Sequence, residues 1–390
     1  MIVTELAGFE DKCCGCFSCS NICPTNAITM KLDHEGFYYP YVDKNTCINC
    51  GKCTKVCNIN SEKAIVYKNN NDSFYVQAHD KVRNMTSSGG VFYLFAKNVI
   101  EQGGIVFGAS FDKKKKCVIH SDTDHINLSE ILRSKYVQSY LGVTYTTVRY
   151  WLDKGRVVLF CGTPCQIYGL IMYLGKHYDN LITVDFVCHG VPSTGFFYDM
   201  IKEQEEIHNS EIHNVTFREK DKGWRKQVIK FYFDNGDIEV NNSDYYYYYY
   251  CFLQNISLRK SCFTCTCPES HIADITIWDA WNIHKDDNLG TSAVMINTIV
   301  GTRLFNAIRP EVKMAKPANL ADFEICFSNH SKMKIYRRAR KSRKSFFEFY
   351  TKYGFLKTLK FWYPIYFRIN EMKSQIRTVG VKVKRLLKKI

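Results

Sequence analysis

Between Phe74 and about Leu320, short apolar runs alternate with stretches in which apolar residues recur every three or four positions. The first pattern predicts strands over 104–111, 156–160, 181–187, 228–233 and 273–278. The second predicts helices over 91–102, 145–154, 166–174 and 194–206. Asp234-Asn235-Gly236-Asp237 reads as a hairpin turn and Lys113–Lys116 as another loop tip. Strands alternating with helices define a mixed α/β body. Residues 1–62 differ, being short, rich in cysteine and dotted with turn formers. The polar stretch Lys68-Asn69-Asn70-Asn71-Asp72 reads as a linker. Three units follow: 1–62, 74–320 and a tail over 331–390.

Composition sharpens this division. The chain has 390 residues, 18 cysteines and a formal charge of +15. No apolar run approaches the roughly 18 residues that a membrane helix needs. The N-terminus shows neither a basic n-region nor an apolar h-region, so a cytoplasmic location is expected. Many cysteines in a reducing compartment point to metal or redox chemistry rather than to disulfides. The charge is concentrated: residues 331–390 hold 19 Lys and Arg against Glu348 and Glu371, while the first 330 residues hold 34 basic and 36 acidic side chains.

Nine cysteines lie between Cys13 and Cys57. Cys13, Cys16, Cys19 and Cys23 form a CxxCxxCxxxC run, with Pro24 following. Cys47, Cys50, Cys53 and Cys57 repeat it 34 residues later. This doubled run resembles a bacterial two-cluster ferredoxin, in which three cysteines of each run hold one 4Fe-4S cluster and the fourth crosses to the other. The resemblance implies Cys13, Cys16, Cys19 and Cys57 for the first cluster, and Cys47, Cys50, Cys53 and Cys23 for the second. Asn58 stands where a proline is usual, a change that touches chain geometry more than ligation. Cys14 is outside the pattern and reads as a spectator. A pair of zinc knuckles is the rival reading.

Five phrases mark the body: Ser87-Ser88-Gly89-Gly90; Ser134-Lys135-Tyr136-Val137-Gln138-Ser139; Cys161-Gly162-Thr163-Pro164-Cys165-Gln166; Asp185-Phe186-Val187-Cys188-His189-Gly190; and Cys262-x-x-Cys265 with Ala273-Asp274 through Trp278-Asp279. Ser-Ser-Gly-Gly before an apolar helix offers backbone N–H groups and a helix dipole to an anion. Pro164 suits a first helical turn, which sets Cys165 where the dipole favours a thiolate. In this order the phrases resemble the coenzyme F-420 hydrogenase/dehydrogenase beta-subunit family over about residues 74–320. The resemblance implies an FAD-binding α/β domain with a third 4Fe-4S cluster beside the flavin, so the fold class is a ferredoxin-like domain fused to a mixed α/β flavin domain. It also implies electron transfer between ferredoxin-type clusters and a two-electron acceptor. Bacterial versions with a fused ferredoxin head are associated with surface-polysaccharide assembly.

Carried over by residue, the resemblance assigns the third cluster to Cys165, Cys188, Cys262 and Cys265. It assigns flavin contacts to Arg83, Ser87, Ser88, Gly89, Gly90 and Lys135, with Thr291 and Ser292 behind them. Arg83 read without it is a surface residue, and Lys135 a helix-end cation. His189 is either a proton donor or, as for most histidines beside a cluster cysteine, a hydrogen-bonding partner of sulfur or backbone. A Cys161–Cys165 redox disulfide and zinc at Cys262, Cys265 and Cys267 stay open. A radical-SAM motif fails because Tyr168 stands where its third cysteine belongs. Trp278-Asp279 departs from the family's Gly-Asp, so no substrate is transferred through it. The partner is a redox protein or a small-molecule acceptor, and a non-catalytic electron-transfer subunit or scaffold is the alternative to an enzyme.

Two runs remain. Six tyrosines, Tyr245–Tyr250, would spread around a helix axis and read as core and interface packing. In residues 346–367, 11 of 22 side chains are aromatic, and the chain ends on a basic and apolar run, 381–390. That tail fits peripheral association with an anionic membrane, or a helical cap whose aromatics pack on the body. No nucleic acid is expected.

Overall fold

Along the central strands the side chains alternate between two apolar layers. Ile105, Phe107, Val158 and Phe160 face one core, whereas Val106 and Leu159 face the other. The computed structural model describes residues 1–60, 72–226, 228–242, 246–265, 272–281, 287–318 and 333–363, without the side chains of 60, 242 and 333–341. The linker residues 68–71, Cys267 and the run 381–390 lie outside the described residues.

The strands in chain order are β1 (Ile28–Leu32), β2 (Tyr38–Val42), β3 (Asp72–Ala78), β4 (Ile105–Asp112), β5 (Cys117–Asp122), β6 (Val158–Cys161) and β7 (Leu181–Phe186). They continue with β8 (Ile212–Glu219), β9 (Val228–Phe233), β10 (Ile238–Asn242), β11 (Ile275–Asp279), β12 (Ser292–Ile296) and β13 (Val312–Pro317). Eight of them form one mixed sheet in the order β13-β3-β12-β11-β7-β6-β4-β5. Its middle, β4-β6-β7-β11, is parallel, and the flanking pairs are antiparallel. Helices Val91–Glu101 and Ile299–Ile308 cover one face through Leu94, Phe95, Leu304 and Phe305. Helices Thr144–Asp153 and Pro164–Leu174 cover the other through Tyr145, Val148, Ile167 and Leu170. Thr163 caps the second of these with a capping box closed by Gln166. The fold is thus the mixed α/β one expected, and every strand and helix expected from the sequence lies within two residues of its place.

β8-β9-β10 form a separate antiparallel sheet, with the Asp234–Asp237 turn joining β9 to β10. Helix Thr194–His208 packs on it with helix Tyr247–Leu253. Tyr246, Tyr247, Tyr248 and Tyr249 are all buried there, as the packing reading required, and Tyr250 is exposed. The same core receives Phe346, Phe347 and Leu359 from helices Met333–Tyr353 and Phe355–Trp362. The start of the basic tail is therefore a cap built into the body and not an appendage, because its aromatics find an apolar face on Phe37 and Phe196.

The N-terminal segment contributes the β1–β2 hairpin, in register Ile28↔Val42, and short helices Ser18–Ile22 and Lys52–Lys55. It is fastened to the body along its length. Gln138 Nε2 donates to Cys14 O (2.8 Å) and Gly15 O (3.1 Å), and Ser18 Oγ donates to Gly169 O (2.8 Å). Asn21 Nδ2 donates to Gly142 O (2.8 Å). Glu35 forms a buried two-pronged ion pair with Arg343, whose Nε–H also donates to Leu258 O. Among the described residues no helix is long and apolar enough to cross a membrane.

Candidate cofactor sites

The eight motif cysteines divide between two cavities. One, of about 320 Å³, is lined by Cys13, Cys16, Cys19 and Cys57. The other, of about 340 Å³, is lined by Cys23, Cys47, Cys50 and Cys53. The fourth cysteine of each run has crossed to the other's cavity. Electrostatics repeat the grouping. Burial raises the Cys19 thiol well above its ordinary range, and Cys16, Cys13 and Cys57 add to the rise. Burial likewise pushes Cys57 up to about 12, with Cys16 and Cys13 contributing. Four thiols crowded in this way, three of them buried, ionise together only around a positive core.

A third cavity, of about 980 Å³, is lined by Cys165, Cys188, His189, Cys262 and Cys265. Three separate elements supply its cysteines. Cys165 lies in the first turn of helix Pro164–Leu174, Cys188 follows β7, and Cys262 lies in the 3-10 turn Lys260–Thr264 just before Cys265. The cavity thus opens at the carboxyl ends of the parallel strands, where α/β sheets place their ligands. Burial pushes Cys262 up to about 11 and raises Cys188 strongly, with Cys262 and Cys265 adding to the latter. Val191 N–H donates to Cys262 Sγ (3.4 Å). His189 Nε2–H donates to Phe252 O (3.2 Å), so that nitrogen is held by backbone.

Cys14 and Asn58 line both the first and the third cavity. The Cys14 thiol lies beside those of Cys16 and Cys165, and Asn58 Nδ2 donates to it (3.4 Å). A residue read as a spectator therefore forms the wall between two cysteine sites. Its position beside Cys13 was the available signal.

Among the described residues no three or more His, Cys, Asp or Glu side chains converge as a single metal ion requires. Sets of four thiols without such convergence suit a multi-atom iron–sulfur group better than a single zinc ion. All sixteen described cysteines are outside disulfides, Cys161 and Cys165 included. Cys161 ends β6, where burial and then Asp185 push its thiol up to about 12.

The residues expected to touch a flavin come together around one loop, and several of them build it. A Cβ on Gly89 would sit 2.3 Å from Val76 O and 2.4 Å from Ser292 N, so only glycine fits. Gly89 N–H donates to Ser292 Oγ (3.0 Å), and Ser88 Oγ donates to Thr291 O (3.0 Å). Gly90, at φ +87°, caps helix Val91–Glu101. Ser87 Oγ accepts from Ser134 N–H (2.8 Å). Arg83 is 3% exposed and donates to Gly290 O, Asp80 and Asp287. It is a buried brace rather than a surface residue or a free phosphate ligand, and Thr291 and Ser292 are equally engaged within the loop.

Three cations missed in the sequence, Arg133, Arg218 and Lys220, join Lys135 around the loop. Arg218 pairs with Asp279 and donates to Ser87 O (3.3 Å), and Arg133 pairs with Glu219 (3.0 Å). Lys220 Nζ donates to Ser88 O (3.0 Å), Leu289 O (2.6 Å) and Arg83 O. Lys135 Nζ donates to Glu130 O (2.8 Å) and Leu132 O (2.6 Å). Burial, then Arg133, Arg218 and Arg83, lower Lys220 to about 7. Burial, then Arg133, lower Lys135 to about 7. Lys135 and Lys220, bonded to carbonyls and set among guanidinium groups, favour an anionic ligand.

Residues 12–61 match the 4Fe-4S dicluster domain, and residues 155–319 match the C terminus of the coenzyme F420 hydrogenase/dehydrogenase beta subunit. The class that the N-terminal match defines is an iron–sulfur protein of the dicluster ferredoxin type. The chain is thus similar to that beta subunit over residues 155–319 and carries a match to the dicluster ferredoxin domain at its N-terminal side. It is 24% identical over 330 residues to the coenzyme F420-dependent sulfite reductase of Methanocaldococcus jannaschii, a match covering 80% of this chain and 48% of that protein. The chain thus spans about half the length of that reductase. An uncharacterized ferredoxin of the same organism is 33% identical over 60 residues, which cover 15% of this chain and 77% of the ferredoxin. Among solved structures, a chain of the xenon-derivatized F420-reducing [NiFe] hydrogenase complex from Methanosarcina barkeri aligns with TM-score 0.44 and 14% identity, covering 73% of this chain and 92% of that one.

Proposed function

We propose that this chain is an iron–sulfur flavoprotein oxidoreductase that links a one-electron donor to a two-electron acceptor. The observation that carries the reading is the adjacency of the first and third cysteine cavities, which share Cys14 and Asn58 as a wall. Bound 4Fe-4S clusters carry electrons singly, and a flavin takes them singly or in pairs. The chain's own residues do the rest. Twelve thiols in three sets of four are the ligands, and the first turn of helix Pro164–Leu174 positions Cys165 among them. The Ser87–Gly90 loop with Lys135 and Lys220 is the seat of an FAD pyrophosphate or of the anionic edge of its ring. Phe252 O holds the His189 ring in the lining of the third site.

The reductase that resembles the chain is coenzyme F420-dependent, which makes a deazaflavin the first acceptor to assay. Sugar nucleotides, the activated precursors of surface polysaccharide, are the second. That the chain spans about half of that reductase favours one further reading, a subunit that relays electrons to a partner enzyme. Steady-state assays with reduced ferredoxin separate the two. Turnover of a small acceptor by the isolated chain supports the enzyme. Reduction of the chain's own centres without turnover of any acceptor supports the relay.

A further inference from the structure

Arg259 is fully buried, 0% exposed, between the ferredoxin segment and the body. Its Nε–H donates to Cys13 O (2.7 Å), one amino group donates to Tyr38 O (2.8 Å) and toward Cys13 Sγ (3.8 Å), and the other donates to Gln138 Oε1 (3.3 Å). The guanidinium also lies over the Tyr39 ring at 4.3 Å. Its backbone belongs to the opposite wall, where Arg259 N–H donates to Val191 O (2.9 Å) and Arg259 O accepts from Cys262 N–H (3.1 Å). Gly15 makes room for it, since a Cβ there would come within 2.9 Å of the guanidinium at a φ of +64°.

Among the described residues Arg259 has no carboxylate partner. Burying an unpaired cation is among the most costly arrangements a fold can contain. The compensating negative charge must come from what the cysteines hold, and Arg259 lies between two such sets. We propose that Arg259 is a positioning residue that raises the reduction potentials of the two sites it separates, the Cys13 site and the Cys262 site. The inference rests on the reading that both sites hold 4Fe-4S clusters. Reduction adds one negative charge to a site, so a fixed cation beside it stabilises the reduced form more than the oxidised form. The N–H directed at Cys13 Sγ acts in the same sense, and more strongly on that site. The site of Cys23, Cys47, Cys50 and Cys53 makes no contact with Arg259 and serves as the internal reference.

The test is an EPR-monitored redox titration of the iron-loaded full chain and of Arg259→Met and Arg259→Lys. In Arg259→Met the Cys13 site loses at least tenfold in its one-electron reduction equilibrium, a fall of about 59 mV or more. The Cys262 site moves the same way by less, and the reference site stays within twofold. Arg259→Lys keeps the charge and stays within threefold of wild type at all sites. An unchanged Cys13 site, or an equal shift at all three, overturns the proposal. Should Arg259→Met fail to load iron, Arg259→Lys decides alone, because a tenfold loss there overturns it. A wild-type chain with only two cluster signals refutes the third-site assignment instead, and the Cys13 shift still decides the role of Arg259.

Discussion

Lys135 and Lys220 tie the proposed flavin seat to a measurable pH dependence. Both are lowered from 10.5 to about 7, chiefly by burial and next by Arg133. Between pH 7 and 10.5 the unfolded chain therefore binds more protons than the folded one. The flavin-free protein gains stability as pH rises through that window, and below about pH 7 it bears the whole penalty. An anionic pyrophosphate at the loop returns each lysine toward its ordinary value, so binding takes up protons above pH 7. Each lysine is worth about 1.4 kcal/mol per pH unit, or tenfold in affinity. FAD affinity of the flavin-free chain, followed by quenching of flavin fluorescence from pH 6 to 9, should fall by one to two decades per unit above pH 7. Lys220→Met should weaken binding at pH 6, halve the slope and raise the stability of the flavin-free chain. An affinity that is flat or rising across that range would refute the assignment of the seat.

Two further outcomes follow from the packing of the C-terminal helices. Arg343→Met strands the Glu35 carboxylate in a buried position and should cost about 3–5 kcal/mol in thermal or urea unfolding. The double replacement Glu35→Met/Arg343→Met should recover most of this, and a loss under about 1 kcal/mol in the single variant would place the pair in solvent-like surroundings. Residues 364–390 carry eight Lys and Arg against Glu371, next to the exposed Tyr353, Leu356 and Phe361. We propose that this end meets anionic membrane: truncation after residue 363, which spares the buried Phe346 and Leu359, should abolish salt-sensitive pelleting with anionic vesicles. Equal pelleting of both chains would remove the idea.

The ferredoxin cysteines were legible because their doubled spacing falls within a few residues of chain, and the resemblance to a two-cluster ferredoxin implied the crossing of Cys23 and Cys57 that the cavities show. Strands and helices were legible by their periods, as β7 and helix Val91–Glu101 illustrate. Cys165, Cys188, Cys262 and Cys265 are spread over a hundred positions and were brought together only by resemblance. Arg259 left no sequence signal, for it meets Cys13 across 246 positions. Arg83 was legible as a cation but not as a brace, because Asp287 and Gly290 lie some two hundred residues away. Arg218 and Lys220 stand in an ordinary-looking strand edge, and only the fold carries them to Ser87 and Ser88. The aromatic run from Phe346 was visible, while the face that it covers was not.

Iron and flavin content after anaerobic purification tests the central claim most directly. Three sets of four thiols predict about twelve iron atoms and one FAD per chain, falling to about eight iron atoms in Cys165→Ser and in Cys262→Ser with both ferredoxin-type signals kept. A wild-type chain that holds eight iron atoms and no flavin would contradict the account.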